Sequence, residues 1–543
     1  MRTRKGSAPR RDQISSKSST AQREKHLSVT TGEDNRITSM RVCLISREFP
    51  PDTGWGGIAT FVHDLALGLK ETGHQVEVIA LAADNVDRTV DYEGVVVHRV
   101  AWTGLLEDKQ RFLTVMPYSH NILKQISALW RKFSVLHTEK PFAVVEAPEM
   151  FAEGLFVAAS KVAPLVVRLY TPHFKFIDES LHNITAAFDH RFIAMLERLT
   201  MMSADLITSP SEDLADYVCR DLNYPRHQLP IVRDPVNTER FCPQGAKALE
   251  DDGRLTVLFA GRLEARKGVH YLIESIAQVV RTFPDVRFVL VGRDTNTAPG
   301  KRSVRAELER SLARSGCSDK VIFIPGVPNA EMPDYFRSAD ICVLPSLYDN
   351  APFTCIEALS TGKPVIGTTA GGMKEYIVHG ESGLVVPPAD ANALAAALLD
   401  LLKDGEKRRR FGQFARNHVL ANFDRQEIAR QSVGLYKLAQ ANYGATKQYA
   451  LYRHDSEQLL PAAEVLISAY DKMLYDLLYT YSWRFRISHW ACMLRDRPRL
   501  TIAKVVARLG RLLLRLTGQS RVPASLARLE QSIEGRTTAA PLP

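Results

Sequence analysis

At 543 residues the chain is long enough for two or more domains with sizeable cores, and 45% hydrophobic with 24% charged residues is an ordinary globular composition. No uninterrupted apolar stretch approaches the roughly 18 residues needed to cross a bilayer. The net charge of +9 sits at the ends, +5 in residues 1–40 and +7 in 445–543, leaving −3 in between, which argues against a nucleic-acid-binding core.

Residues 1–39, rich in Ser, Thr, Lys and Arg, predict a disordered basic tail with no apolar segment of a secretory signal. Strands are then predicted at residues 41–46, 75–80, 143–146 and 165–169, with a helix over 57–72 closed by Gly73. Beyond Pro225, Pro230 and Pro235 a second series begins, with strands at 255–260, 286–291, 321–324, 341–344, 364–367 and 383–386. Such alternation implies βαβ units, right-handed crossovers and parallel sheets. The expected fold class is therefore α/β, with two doubly wound, Rossmann-like domains, 40–233 and 234–425, facing across a cleft. A helix within 426–443 is expected to cross back onto the first domain, and 445–543 to form a helical basic extension. Seven cysteines, an odd number without a C-x-x-C, fit reduced thiols and a cytoplasmic location rather than structural zinc.

Residues 341–376, ICVLPSLYDNAPFTCIEALSTGKPVIGTTAGGMKEY, are the most informative stretch. A buried strand leads through a loop into a helix that opens near Phe353 or Thr354. Asp349 in the loop and Glu357 in about the first helical turn form a carboxylate pair. The helix dipole is expected to keep Glu357 charged, and the free amides at the helix start suit a phosphate. The alternative is a turn residue and a solvated helix residue, since this spacing alone is common. Thr354 places a hydroxyl at the same terminus. Gly371 and Gly372, before a helix carrying Glu375, offer a second glycine-lined terminus. Arg262 and Lys267, in LFAGRLEARKGVHYL, come after a strand and are expected to project into the cleft, where two cations could neutralise a diphosphate. Gly54 to Ala59 matches G-x-G-x-x-A, but REFPPDT separates it from the strand, so the dinucleotide reading is set aside. A longer loop around Gly57 still permits close backbone approach to phosphate or sugar. His173 comes after a first-domain strand and is either a cleft residue or a structural one.

With FPPDTGWGGIATFV, FAGRLEARKG and LPSLYDNAPFTCIEALSTGKPVIGTTAGGMKEYI in this order, the chain resembles the retaining glycosyltransferases of family 4, which have the GT-B fold, over about residues 41–443. The resemblance implies that Arg262 and Lys267 grip the donor diphosphate and that Glu357 binds the nucleotide ribose. Asp349, where the family usually has Glu, would lie by the donor sugar. Phe353 and Thr354 would contact phosphate, with Gly371 and Gly372 beside the donor. Gly57 would lie near donor and acceptor, and His173 near the transferred sugar. The frequent N-G-V-D linker stands here as Asp234-Pro235-Val236-Asn237.

The implied activity is metal-independent retaining transfer from a UDP- or GDP-sugar to a saccharide, lipid-linked or small-molecule acceptor, with no cofactor. A non-catalytic sugar-nucleotide binder and a sugar-nucleotide epimerase are the alternatives. In the extension, LTIAKVVARLGRLLLRL is amphipathic, with Lys504, Arg508, Arg511 and Arg515 on one stripe. Upstream, Trp483 and Trp490 interleave with arginines from Arg484 onward. Residues 484–516 thus suit peripheral attachment to an anionic membrane surface, or a helical appendage packed on the body.

Overall fold

Strands that helices cover on both faces are largely apolar, and the central strands of both sheets are of this kind, whereas an edge strand in each is partly exposed. The structure is a computed structural model that describes residues 39–54, 56–103, 116–178, 188–298 and 302–446, with Ile502, Val506 and Ala507. The first sheet has the order β3-β4-β2-β1-β5-β6-β7. Its strands are β1 (Arg41–Ile45), β2 (Gln75–Leu81), β3 (Arg88–Tyr92), β4 (Val95–Val100), β5 (Val144–Pro148), β6 (Leu165–Arg168) and β7 (Leu206–Thr208). The second has the order β10-β9-β8-β11-β12-β13, from β8 (Leu255–Ala260), β9 (Val286–Val291), β10 (Val321–Ile324), β11 (Ile341–Leu344), β12 (Val365–Thr368) and β13 (Gly383–Val386).

The second sheet is parallel throughout. The first departs from the expected pattern, because β3 pairs antiparallel with β4 at its edge. The cause is local. Glu93 and Gly94 both take positive φ, 53° and 78°, which makes the two-residue hairpin turn that matches strand twist.

Strand order reverses between β1 and β5 in one sheet and between β8 and β11 in the other. Loops splay apart at such points, beyond the strands' carboxyl ends, and leave room for a ligand. Each sheet has a hydrophobic cluster on either face.

Helix Arg425–Thr446 runs back from the second half to the first. Ile428, Ala429, Tyr436 and Ala439 are fully buried in a first-sheet cluster. Tyr436 donates to Glu146 Oε2 at 2.8 Å, and Glu146 pairs with the buried Arg168 at 2.6 Å. A Cβ on Gly68 would lie 2.3 Å from Arg425 O, so only glycine lets this helix lie so close.

Among the described residues, no helix is long and apolar enough to cross a membrane. The tail 1–38 and residues 484–516 lie outside the described residues, apart from Ile502, Val506 and Ala507. These three are helical, the first two exposed and Ala507 buried.

Candidate functional site

The loop leaving β8 and the loop leaving β11 meet at the second sheet's switch point. Gly268 turns with φ +63°, and a Cβ there would lie 1.9 Å from Pro345 O. This contact presses the two loops together. Leu347 N donates to Arg266 O at 2.8 Å, and Arg266 Nη1 donates to Tyr348 O at 2.7 Å. The result is an ion pair predicted from neither residue alone: Lys267 Nζ lies 2.6 Å from Asp349 Oδ2. Arg266 Nη1 stands 3.6 Å from the other oxygen, and Ser346 Oγ lies 3.3 Å from Oδ2. Burial pushes the Asp349 carboxyl up, but Lys267 and Arg266 together outweigh it and hold the group below its ordinary value. Arg262 is in the same loop but stays exposed, 3.5 Å from Glu264.

After Pro352 the chain enters helix Phe353–Ser360, whose N-terminus has no side-chain cap. Its first amides are therefore open to an acceptor from outside the helix. Thr354 is half-buried in the first turn. Phe353 packs against hydrophobic clusters of both halves. Facing it, Gly57 opens helix Gly57–Glu71, also without a side-chain cap, and a Cβ there would stand 3.9 Å from the Phe353 ring. Two uncapped helix starts thus converge from opposite halves.

Glu357 corrects an expectation. It is the fifth residue of the helix, beyond the first turn where the dipole acts, and it is 7% exposed. Burial dominates: it pushes the carboxyl up to about 8, against the pull of Arg240, which favours the protonated form at neutral pH.

The Gly371–Gly372 segment also differs from its sequence expectation. These glycines lead into a single 3₁₀ turn, Met373–Glu375, not into a helix with a binding terminus. Gly372 N donates to Asp349 O at 3.0 Å, and a Cβ on Gly371 would meet that oxygen at 2.2 Å. The pair admits the acid loop. Glu375 reaches the other half, accepting from Glu212 N and Asp213 N at 2.8 and 3.0 Å and pairing with Arg233 at 2.6 Å.

His173 is buried in the first half. Its Nε2 bonds His190 Nδ1 at 2.9 Å, its ring stacks on Tyr118, and its amide donates to Glu197 at 2.6 Å. Burial, then His190, lower its pKa to about 4. It is a neutral ring tied into a first-half stack, and its described partners include neither Lys267 nor Asp349.

Sequence reasoning missed Arg266, the second cation on Asp349, although it directly precedes Lys267. It also missed Asn350, whose partners lie far away in the chain. Among the described residues no group of three His, Cys, Asp or Glu could hold a metal.

Comparison with known proteins bears on the family and the fold. Residues 55–240 match Glycosyltransferase Family 4, and residues 244–418 match Glycosyl transferases group 1. An uncharacterised glycosyltransferase of Methanocaldococcus jannaschii is 24% identical over 422 residues, 75% of this chain and all of that protein. An MMP alpha-(1->4)-mannosyltransferase of Mycolicibacterium hassiacum is 26% identical over 433 residues, again 75% of this chain and all of that protein. Sucrose-phosphate synthase from Thermosynechococcus elongatus shares the fold with a TM-score of 0.60 at 24% identity, over 74% of this chain and 99% of that one. An Anabaena structure in complex with UDP and glucose does so at 0.55 and 19%, over 73% and 99%. The two families are matched in tandem, one on each sheet, and the chain belongs to the group 1, family 4 glycosyltransferases with their two-domain GT-B fold.

Proposed function

We propose that this glycosyltransferase is a retaining, metal-independent hexosyltransferase that uses a UDP- or GDP-sugar and a saccharide, lipid-linked or small-molecule acceptor. The observation that carries the reading is the Lys267–Asp349 pair, with Arg266 beside it, at the second sheet's switch point. The relative named as a mannosyltransferase and the neighbour crystallised with UDP and glucose favour a nucleotide-activated hexose.

In the transfer, the bond from the anomeric carbon to the diphosphate oxygen breaks, and its electron pair leaves with the diphosphate. Lys267, Arg266 and Arg262, with the amides at Phe353 and Thr354, stabilise that departing charge, so no metal is assigned the task. The acceptor hydroxyl bonds the anomeric carbon on the face being vacated, and its proton passes to the departing diphosphate oxygen. Atoms and charge balance without a further reactant. Asp349 faces the donor sugar. Glu357 bonds the ribose hydroxyls, which replace the water its buried carboxyl lacks. Gly371 and Gly372 seat the acid loop, and Gly57 lies between donor and acceptor. His173 lies near the transferred sugar on the side of the first half.

A donor panel by thermal shift tests the reading: a ligand at 100-fold excess over its dissociation constant adds about 2.7 kcal/mol. If no UDP- or GDP-sugar raises the melting temperature, the reading fails. Nucleotide binding without transfer to any acceptor would indicate the non-catalytic binder, and release of a free 2-epimer the epimerase. The reading also assigns residues 484–516 to an anionic membrane surface. Liposome sedimentation with and without residues 445–543 decides that point, and equal partitioning removes it.

A further inference from the structure

Asp349 and Asn350 are consecutive, yet they serve opposite sides of the cleft. Asp349 turns to Lys267 and Arg266 of its own half. Asn350, only 5% exposed, gives both ends of its amide to the other half. Its Nδ2 donates to Tyr170 O at 2.7 Å, and its Oδ1 accepts from Ser211 Oγ. The Ser211 hydroxyl has one proton and directs it at Asn350, so it accepts the bond from Leu214 N at 3.2 Å. Its proton and one of its two acceptor positions are used. Gly372 closes the joint from behind, where a Cβ would lie 2.2 Å from Asn350 O and 2.5 Å from Ser211 Cβ.

We propose that Asn350 is a positioning residue for glycosyl transfer, tying the loop that carries Asp349 to Tyr170 and Ser211 of the first half. The proposal rests on the glycosyltransferase reading and deepens it. Transfer requires a sugar held by one half to meet an acceptor held by the other at bonding distance, and small misplacements are costly. The bonds of Asn350 set that spacing at the loop nearest the chemistry. Nucleotide binding, by contrast, needs only groups of the second half.

Losing two buried hydrogen bonds shifts the balance between closed and open cleft by about 10- to 100-fold. Full-length wild type, Asn350→Ala, Ser211→Ala and the double variant are compared by small-angle X-ray scattering and by calorimetric titration with UDP and with GDP. Both single variants are expected to have a larger radius of gyration than wild type, Asn350→Ala the more so because it loses both bonds, and the double variant to expand no further than Asn350→Ala. Nucleotide affinity stays within about threefold, as for separate sites. With the donor found by the panel, kcat falls about 10- to 100-fold while the donor KM is unchanged. Wild-type scattering from Asn350→Ala, or affinity lost together with expansion, overturns the proposal. Should Asn350→Ala not fold, Ser211→Ala cuts one of the two bonds from the other side and carries the comparison with a smaller expansion. If neither nucleotide binds wild type, the donor reading falls, and scattering alone still decides whether Asn350 holds the halves together.

Discussion

The carboxyl ends of the two sheets bury the same kinds of residue to opposite effect. At the second sheet Asp349 enters the interior with Lys267 and Arg266, and its carboxyl is held low. At the first, Glu149 accepts from Tyr170 N with both oxygens, at 2.8 and 2.9 Å, and burial still lifts it to about 8. Glu197 accepts from Phe151 N and His173 N and is pushed up by burial and by Glu149. His173 beside it is neutral. The difference is the number of accompanying cations: amide bonds do not repay the loss of water around Glu149, nor does the single Arg47 beside Glu153, which burial also lifts to about 8, whereas Lys267 and Arg266 together do so for Asp349. One end is a charged site suited to a diphosphate. Around Glu149, Glu197 and His173 the other is a hydrogen-bonded scaffold, strained at Phe151 and Ala152, whose φ values are 60° and 56°.

The largest effect expected is structural. Arg168 lies fully buried against Glu146, so Glu146→Ala strands its charge and removes the partner of Tyr436. Denaturant unfolding should show a loss of about 3–5 kcal/mol, and a loss under about 1 kcal/mol would mean that charge pairing is not what the first half depends on. Next, Lys267→Ala should slow transfer roughly 100- to 1000-fold, about 3–4 kcal/mol of barrier, with circular dichroism unchanged. Wild-type turnover would erase the distinction between the two ends.

A pH series sharpens the contrast. Glu149 and Glu357, both at about 8, hold protons better folded than unfolded, so they reduce native stability as pH rises from about 4.5 to about 8 and add nothing beyond. Asp349, held low, acts in the reverse sense, and its contribution is lost as pH falls through the acid range. Melting of the ligand-free protein should therefore drop between pH 5 and pH 8, and Glu149→Gln should remove on the order of 2 kcal/mol of that drop. An unchanged slope would place the ionisation elsewhere. The smallest effect is at Arg262, whose exposed side chain predicts a stability change within about 0.5 kcal/mol for Arg262→Ala, read by thermal melting.

Much of this was legible in the chain. The bounds of β8, β9, β10, β11 and β13 match their sequence reading, because each is a short, largely apolar run between turn residues. The motifs that suggested a glycosyltransferase are local too: a glycine that must turn, a cation one loop from a strand, a helix start left open. The β3–β4 hairpin was missed because its signal is only Glu93-Gly94.

Sequence by itself determined the alternation of elements, the two apolar sheets and which loops carry cations, since these arise from short-range patterns of size, charge and backbone freedom. Only the tertiary structure decided that Asp349 is charged while Glu357 holds its proton, that Arg266 joins Lys267, and that Asn350 reaches Tyr170 and Ser211. Burial and charge pairing are properties of neighbours in space. For Asn350 those neighbours stand 180 and 139 positions away in the chain, beyond the reach of any local pattern.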